Sequence, residues 1–219
     1  NELSHRQQVG YYELTQEQVE KLKSDERIAF QILVKAGILT EMDGFDVMPY
    51  YVSELSDQIQ IGELEEGSLP EAENEIAVQH AMLNRMGIEP AVGSSVTFPF
   101  YDGSTETFTV SGILKDGNNS KQFSVFLSES YARNGSQLKN EPYEVYARLY
   151  GASEMGPEEC RELMYLIGSD AGIEREYVSP SRSFLDSIYY DTQSAMHYGM
   201  LGLVILIACV LVIYGVFYL

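Results

Sequence analysis

Alternation of apolar and polar positions divides the first third of the chain into strands and one short helix. Residues 6–14 (RQQVGYYEL) read as a strand. Thr15 and Gln18 then stand at capping-box spacing, where a threonine hydroxyl and the side chain three residues on satisfy free amides, so a helix is expected to about Asp25 with Val19 and Leu22 facing inward. Ile28 to Ala36 reads as a buried strand that Gly37 can end, and Phe45 to Val52 as another. The opening is β-α-β-β.

The pattern changes beyond residue 58. LPEAENEIAV reads as a turn feeding a short strand. Gln79 to Met86 reads as a short helix with Ala81, Met82 and Met86 available to a core, and Gly87 as its stop. Val96, Phe98 and Phe100 alternate with polar or turn residues, Asp102-Gly103 signals a hairpin, and Phe108, Val110 and Ile113 continue on the returning strand. Gln122 to Leu127 is a further strand. Residues 58–130 thus read as a small β-rich unit. After it the first pattern returns: Tyr143 to Tyr150 alternates as a strand, Pro157 opens a helix with Cys160, Leu163, Met164 and Ile167 at helical spacing, and Ile173 to Val178 reads as a short strand. Two β-α-β halves with an insert between them predict a split ferredoxin-like α+β core.

The last signal is of another kind. Tyr198 to Leu219 contains no charged residue, and as a helix it would extend about 33 Å against roughly 30 Å of bilayer hydrocarbon. A buried core helix of that length would carry a polar stripe, and this run has none. Tyr189, Tyr190 and Tyr198 precede or open it, and Tyr214 and Tyr218 lie near its far end, as suits a headgroup zone. Ala195, Gly199, Gly202 and Cys209 recur near helical spacing; this is either a stripe along which a second helix packs or the ordinary abundance of small residues in such helices. From Ser183 the stretch SFLDSIYYDTQSAMHYG lacks an internal Pro, so helix is expected to run from the domain into the span, with Leu185, Ile188 and Tyr189 packing on the core and Asp191 to Ser194 at the bilayer surface. The chain opens at Asn1 without a start Met and ends at the far edge of the span, which reads as a piece of a larger membrane protein.

Charge and candidate chemistry remove function classes. The formal net charge of −19 disfavours nucleic acid and anionic leaflets, which call for clustered Lys and Arg. The glutamates between Glu63 and Glu75 read as a solvated edge. Cys160 and Cys209 fall in segments too different to pair, His5, His80 and His197 are isolated, and no phosphate loop or nucleophile elbow occurs. Asp170 and Glu174 could approach each other but read as plain exposed carboxylates, and Asn118-Asn119-Ser120 and Asn134-Gly135-Ser136 read as chance glycosylation patterns. No catalytic, cofactor-binding or metal-binding residue is expected, and no cofactor.

Three stretches resemble the FtsX-like permeases with a MacB-type periplasmic or extracellular domain. These are VGYYELTQEQVEKLKSDERI, then GSLPEAENEIAVQHAMLNRMGIEPAVGSSVTF with FTVSGILKD, and the terminal span with Ile213-Tyr214 and Phe217. The matching positions of the middle phrase are Gly67, Leu69, Pro70, Glu75, Ile76, Gly93, Val96, Val110, Gly112 and Ile113, to which a structural role is assigned: a turn that feeds a strand. The resemblance implies a porter-like subdomain from residues 1–57 and 131–193, a sabre-like insert at 58–130 and a transmembrane helix at 194–219. It implies a bacterial plasma-membrane permease with residues 1 to about 197 outside, a cytoplasmic ABC ATPase subunit or domain as partner, a permease dimer, and a peptide, lipid or extracytoplasmic protein as ligand. A membrane-anchored sensor or binding domain without transport is the alternative, and control of a cell-wall hydrolase a variant of the first reading.

Overall fold

The computed structural model describes residues 7–42, 44–59, 61–117 and 121–218. Arg6 at the head of the first expected strand, His5, the Asn118-Asn119-Ser120 triplet and Leu219 lie outside the described residues.

Among the described residues eleven strands form one sheet. Its first part is built from β1 (Val9–Leu14), α1 (Gln16–Lys23), β2 (Ile28–Ala36), β3 (Thr40–Met42) and β4 (Phe45–Val52). The middle contributes β5 (Leu64–Gly67), β6 (Glu75–Gln79), α2 (His80–Arg85), β7 (Ser95–Pro99), β8 (Thr105–Leu114), β9 (Gln122–Leu127) and α3 (Glu129–Asn134). The chain closes with β10 (Tyr143–Leu149), α4 (Pro157–Asp170), β11 (Val178–Pro180) and α5 (Arg182–Tyr218). The strand order is β11-β1-β10-β2-β4-β9-β6-β8-β5, with β3 on β4 and β7 on β8.

Within that order β11-β1-β10-β2 is the ferredoxin-like arrangement: every neighbouring pair is antiparallel, and each β-α-β half leaves room for one strand of the other. The expected strand at Tyr143 to Tyr150 therefore lies between β1 and β2. On the far side of β2 the sheet continues through antiparallel β4 into β9, which runs parallel to β4 over Asp46 to Tyr51. Side chains alternate as the strand period requires. Tyr143, Val145, Ala147 and Leu149 of β10 face the larger core cluster with Val19 and Leu22 of α1 and Cys160, Met164 and Ile167 of α4. The opposite face carries a smaller cluster around Ile32, Val34, Val52, Ile59 and Phe126.

Local signals explain the element ends. Thr15 accepts from Gln18 N–H at 3.3 Å while Gln18 Oε1 accepts from Thr15 N–H at 2.9 Å, which is the expected capping box. Gly87 (φ +70°) ends α2 and Gly172 (φ +79°) ends α4. In both, the following isoleucine N–H reaches back five residues, Ile88 to Leu83 and Ile173 to Gly168, closing a Schellman motif.

Four elements differ from the sequence-based expectation, one of them the three-residue β3, which is too short to display an alternation. The strand expected at Ile173 to Val178 begins at Val178: Ile173 is instead the buried apolar residue of the Schellman motif, and Arg175–Tyr177 form a 3-10 turn. Helix α3 was not expected, since its six residues are too few to display a period; its signal is Ser128, whose Oγ accepts from Tyr131 N–H at 3.1 Å. The glutamates read as a solvated edge include β5, an edge strand whose Glu65 and Glu66 are exposed.

Candidate functional site at the domain–helix junction

Gln8 is buried and uses three of its hydrogen-bonding groups at the base of the sheet. Its N–H donates to the Ala147 carbonyl at 2.9 Å, its side-chain carbonyl accepts from Leu149 N–H at 2.8 Å, and its main-chain carbonyl accepts from Ser181 N–H at 2.8 Å. The start of β1, the end of β10 and the residue before α5 are thereby tied together. Tyr11 adds a second tie: its hydroxyl donates to the Met164 carbonyl at 3.1 Å, linking β1 to α4, and burial pushes its pKa upward. Gly168 of α4 sits against β11 and β1, and a Cβ there would lie 2.7 Å from Val178 Cγ2 and 3.4 Å from Tyr11 Cε1. Neither Gln8 nor Gly168 was singled out in the sequence, because their partners are remote along the chain.

Helix α5 grows out of this base. Ser181 leads it in: its carbonyl accepts from Leu185 N–H at 3.0 Å. Leu185 and Ile188 are each 5% exposed and belong to the main core, with Phe184 packed partly against it. Tyr189, expected on the same face, is 49% exposed: one residue beyond Ile188, a helix has turned about 100° away. The helix continues without a break to Tyr218, 37 residues in all, or about 55 Å. Its apolar stretch Met196–Tyr214 is long enough to cross a bilayer and makes no contact that buries it. About 12 Å of helix separates Ile188 from Met196. Gly199, Gly202 and Cys209 lie exposed on that stretch, and a Cβ at either glycine would meet nothing within 4 Å. The side chain of Ala195 lies outside those described.

The middle phrase forms one connected structure. Gly67 (φ +77°) ends β5 opposite Gly112 of β8. Leu69 and Pro70 follow, half-buried, with Leu69 against the smaller core cluster. The Glu75 carboxylate turns back and accepts from Glu71 N–H at 2.9 Å and Ala72 N–H at 3.0 Å, and these amides hold its pKa below the ordinary value. Ile76, Val96 and Val110 are fully buried, and Ile113 nearly so. Gly93 (φ +92°) donates to the Val110 carbonyl at 2.7 Å. The turn at 68–74 therefore feeds β6 into the sheet.

Among the described residues no group of three or more His, Cys, Asp or Glu side chains is placed to hold a metal ion, and both cysteines are free. Asp170 pairs with Arg27 at 2.7 Å. His80 Nδ1 lies 3.1 Å from Asn84 Nδ2, and His197 Nδ1 lies 2.8 Å from the Gln193 carbonyl, each within one turn of its own helix.

No family model matches the chain, and no curated protein matches it in sequence. Solved structures do match it. A permease-protein domain from Porphyromonas gingivalis superposes with a TM-score of 0.53 at 15% identity, covering 81% of this chain and 91% of that one. The extracellular domain of the ABC-type transporter YknZ from Gram-positive bacteria gives 0.52 at 12% identity, over 80% and 98%. The periplasmic region of MacB from Actinobacillus actinomycetemcomitans gives 0.51 at 14% identity, over 84% and 91%. The fold is that of a MacB-type extracytoplasmic domain. At such identities the likeness is one of fold, and it agrees with the ferredoxin-like half-and-half arrangement reached from the residues.

Proposed function

We propose that this chain is the extracytoplasmic domain, with the following span, of the membrane subunit of an FtsX/MacB-like ABC transporter. It is not itself an enzyme. In this reading residues before about 197 stand outside a bacterial plasma membrane. A cytoplasmic ABC ATPase subunit or domain hydrolyses ATP, and α5 carries the resulting movement outward to a peptide, lipid or protein ligand. Residues 1–57 and 131–193 act as the porter-like base, 58–130 as the sabre-like insert, and two permeases pair, with the small residues Ala195, Gly199, Gly202 and Cys209 offered to a neighbouring helix.

The observation that carries the proposal is the continuity of α5. Mechanical coupling needs an element with little internal slack between two bodies. Leu185 and Ile188 lock one end of α5 into the domain core, and the same helix runs unbroken into the stretch Met196–Tyr214.

The test is a flexible Gly-Ser insertion after Thr192 in the full permease. Added loop residues cost little closure entropy, so folding and membrane insertion should survive. Transport-linked activity should be lost at matched expression while the partner ATPase still hydrolyses ATP. Full activity with the insert would remove the lever and favour an anchored binding domain.

A further inference from the structure

A cleft of about 560 Å³ opens at the end of β1 remote from α5. It is lined by the β1–α1 junction from Glu13 to Gln16, by Lys35 of β2, by Arg133 of α3, and by the segment Lys139 to Tyr143 that leads into β10. Three basic side chains converge here in a chain whose net charge is −19.

Lys35 forms the floor. It is 3% exposed, and its ammonium donates to the Ala132 and Leu138 carbonyls, both at 3.0 Å, while standing 4.3 Å from the centre of the Tyr143 ring. No carboxylate lies within ion-pair distance of Lys35 or Lys139 among the described residues, although the chain carries 33 acidic side chains. Most of the cations outside the cleft are paired, among them Lys21, Lys23, Arg27, Lys115, Arg161 and Arg175; within it Arg133 already holds Glu129 of its own helix, so a ligand there competes with that carboxylate. A buried cation normally has a partner charge, because desolvation is costly. The fold instead holds Lys35 with two carbonyls and a ring, which neutralise none of its charge.

Thr15 and Gln16 at the start of α1 line the same cleft, but the capping box occupies the Thr15 and Gln18 amides, so the positive charge comes from the basic side chains. Glu13 and Glu141 line the cleft as well. They keep the cleft from being uniformly positive and favour a ligand that presents a compact negative group inward over one that is negative throughout.

We propose that this cleft binds a small soluble oxyanion, a carboxylate or phosphate group seated above Lys35 between Lys139 and Arg133. The phosphates of the bilayer are an unsuitable source. The five residue steps of β1 from Val9 to Leu14 put about 17 Å between the cleft and the base from which α5 departs.

The probes are inorganic phosphate and citrate, titrated by calorimetry against the whole chain in detergent micelles at low ionic strength. Saturable binding is expected, weakened about tenfold or more by Lys139→Ala and by Arg133→Ala, and tightened by Glu141→Gln. Lys115→Ala, which removes a base remote from the cleft, should leave it unchanged. These variants avoid Lys35, whose loss would unpin the α3 turn. Absence of saturable binding by either anion would overturn the proposal, and so would binding that Lys139→Ala and Arg133→Ala leave intact. The same titration against vesicles containing an anionic phospholipid should show no recruitment through Lys139; lipid binding lost in Lys139→Ala would overturn the assignment to a soluble ligand. None of these outcomes depends on α5 acting as a lever.

Discussion

Gly67 and Gly112 face each other across the β5–β8 pairing, and neither has room for a side chain. A Cβ on Gly67 would run into the Ser111 carbonyl and lie 2.9 Å from Val92 Cγ2, and one on Gly112 would run into the Ser68 carbonyl and lie 2.8 Å from Leu64 Cδ1. The two strands approach backbone to backbone at this point, with Ser68 N–H donating to Ser111 O at 2.9 Å. Gly67 in addition holds φ +77°.

Gly67→Ala and Gly112→Ala should therefore each destabilise the domain by about 1–3 kcal/mol, the range for backbone clash or a side chain forced into an unfavourable conformation. Gly117→Ala is the control: its Cβ would meet only Gln79 Nε2, at 3.5 Å, so the change should stay within about 0.5 kcal/mol. Urea unfolding of the chain in micelles, followed by tyrosine circular dichroism, measures all three. Equal stability of the Gly67 and control variants would contradict the close approach.

Glu75 connects the same motif to pH. Two amides stabilise its ionised form, so its folded pKa is depressed below the ordinary value of about 4.5. A depressed folded pKa contributes stability that is present above the unfolded pKa and lost as pH falls through the folded one. Glu75→Gln should accordingly cost stability at pH 7, and the gap to the parent should close progressively below pH of about 4.5. A gap that is constant from pH 7 to 3 would show that the carboxylate charge is not what holds the 68–74 turn.

Leu185 and Ile188 are the buried side chains by which α5 docks, with Phe184 packed partly beside them. Leu185→Ala and Ile188→Ala should each cost about 2–4 kcal/mol in unfolding, as truncation of a buried aliphatic residue does. Tyr189→Ala, half-exposed one residue further on, should cost little by comparison. Limited proteolysis should find new cuts between Ser181 and Gln193 in the first two variants only. Cuts in all three, or in none, would mean that the helix is held by something other than Leu185 and Ile188.

Thr15→Ala removes the hydroxyl that caps α1 and should destabilise by about 1 kcal/mol, while Thr15→Ser should be nearly neutral. Because α1 packs against β10 and β2 and buries Val19 and Leu22, amide exchange in α1 should quicken in the alanine variant before the sheet is affected.

The elements legible in the sequence share a physical cause. β2, β4 and β9 coincide with the expected spans because each is an apolar or alternating run bounded by turn residues. The caps at Thr15 and Gly87 and the Pro157 start of α4 were legible because capping is local chemistry within a few residues. What escaped was short or was defined by distant partners. β5 reads as a string of acids and becomes a strand only because β8 offers it an edge. Gln8 has no distinctive neighbours in the chain, yet it ties Ala147, Leu149 and Ser181 together.

The sequence alone determined that two β-α-β halves enclose a β-rich insert, that an uncharged run long enough to span a bilayer follows, and that no familiar catalytic or nucleotide-binding motif is present. Those features depend on period, caps and composition, all of which act within a few turns of chain. Only the tertiary structure decided that β9 pairs in parallel with β4 so that one sheet runs through both parts, that Gly67 and Gly112 meet, that Tyr189 turns away from the core where Leu185 and Ile188 enter it, and that Lys35, Arg133 and Lys139 gather around one cleft. Each of those depends on register and packing between segments far apart in the chain, which local propensity does not encode.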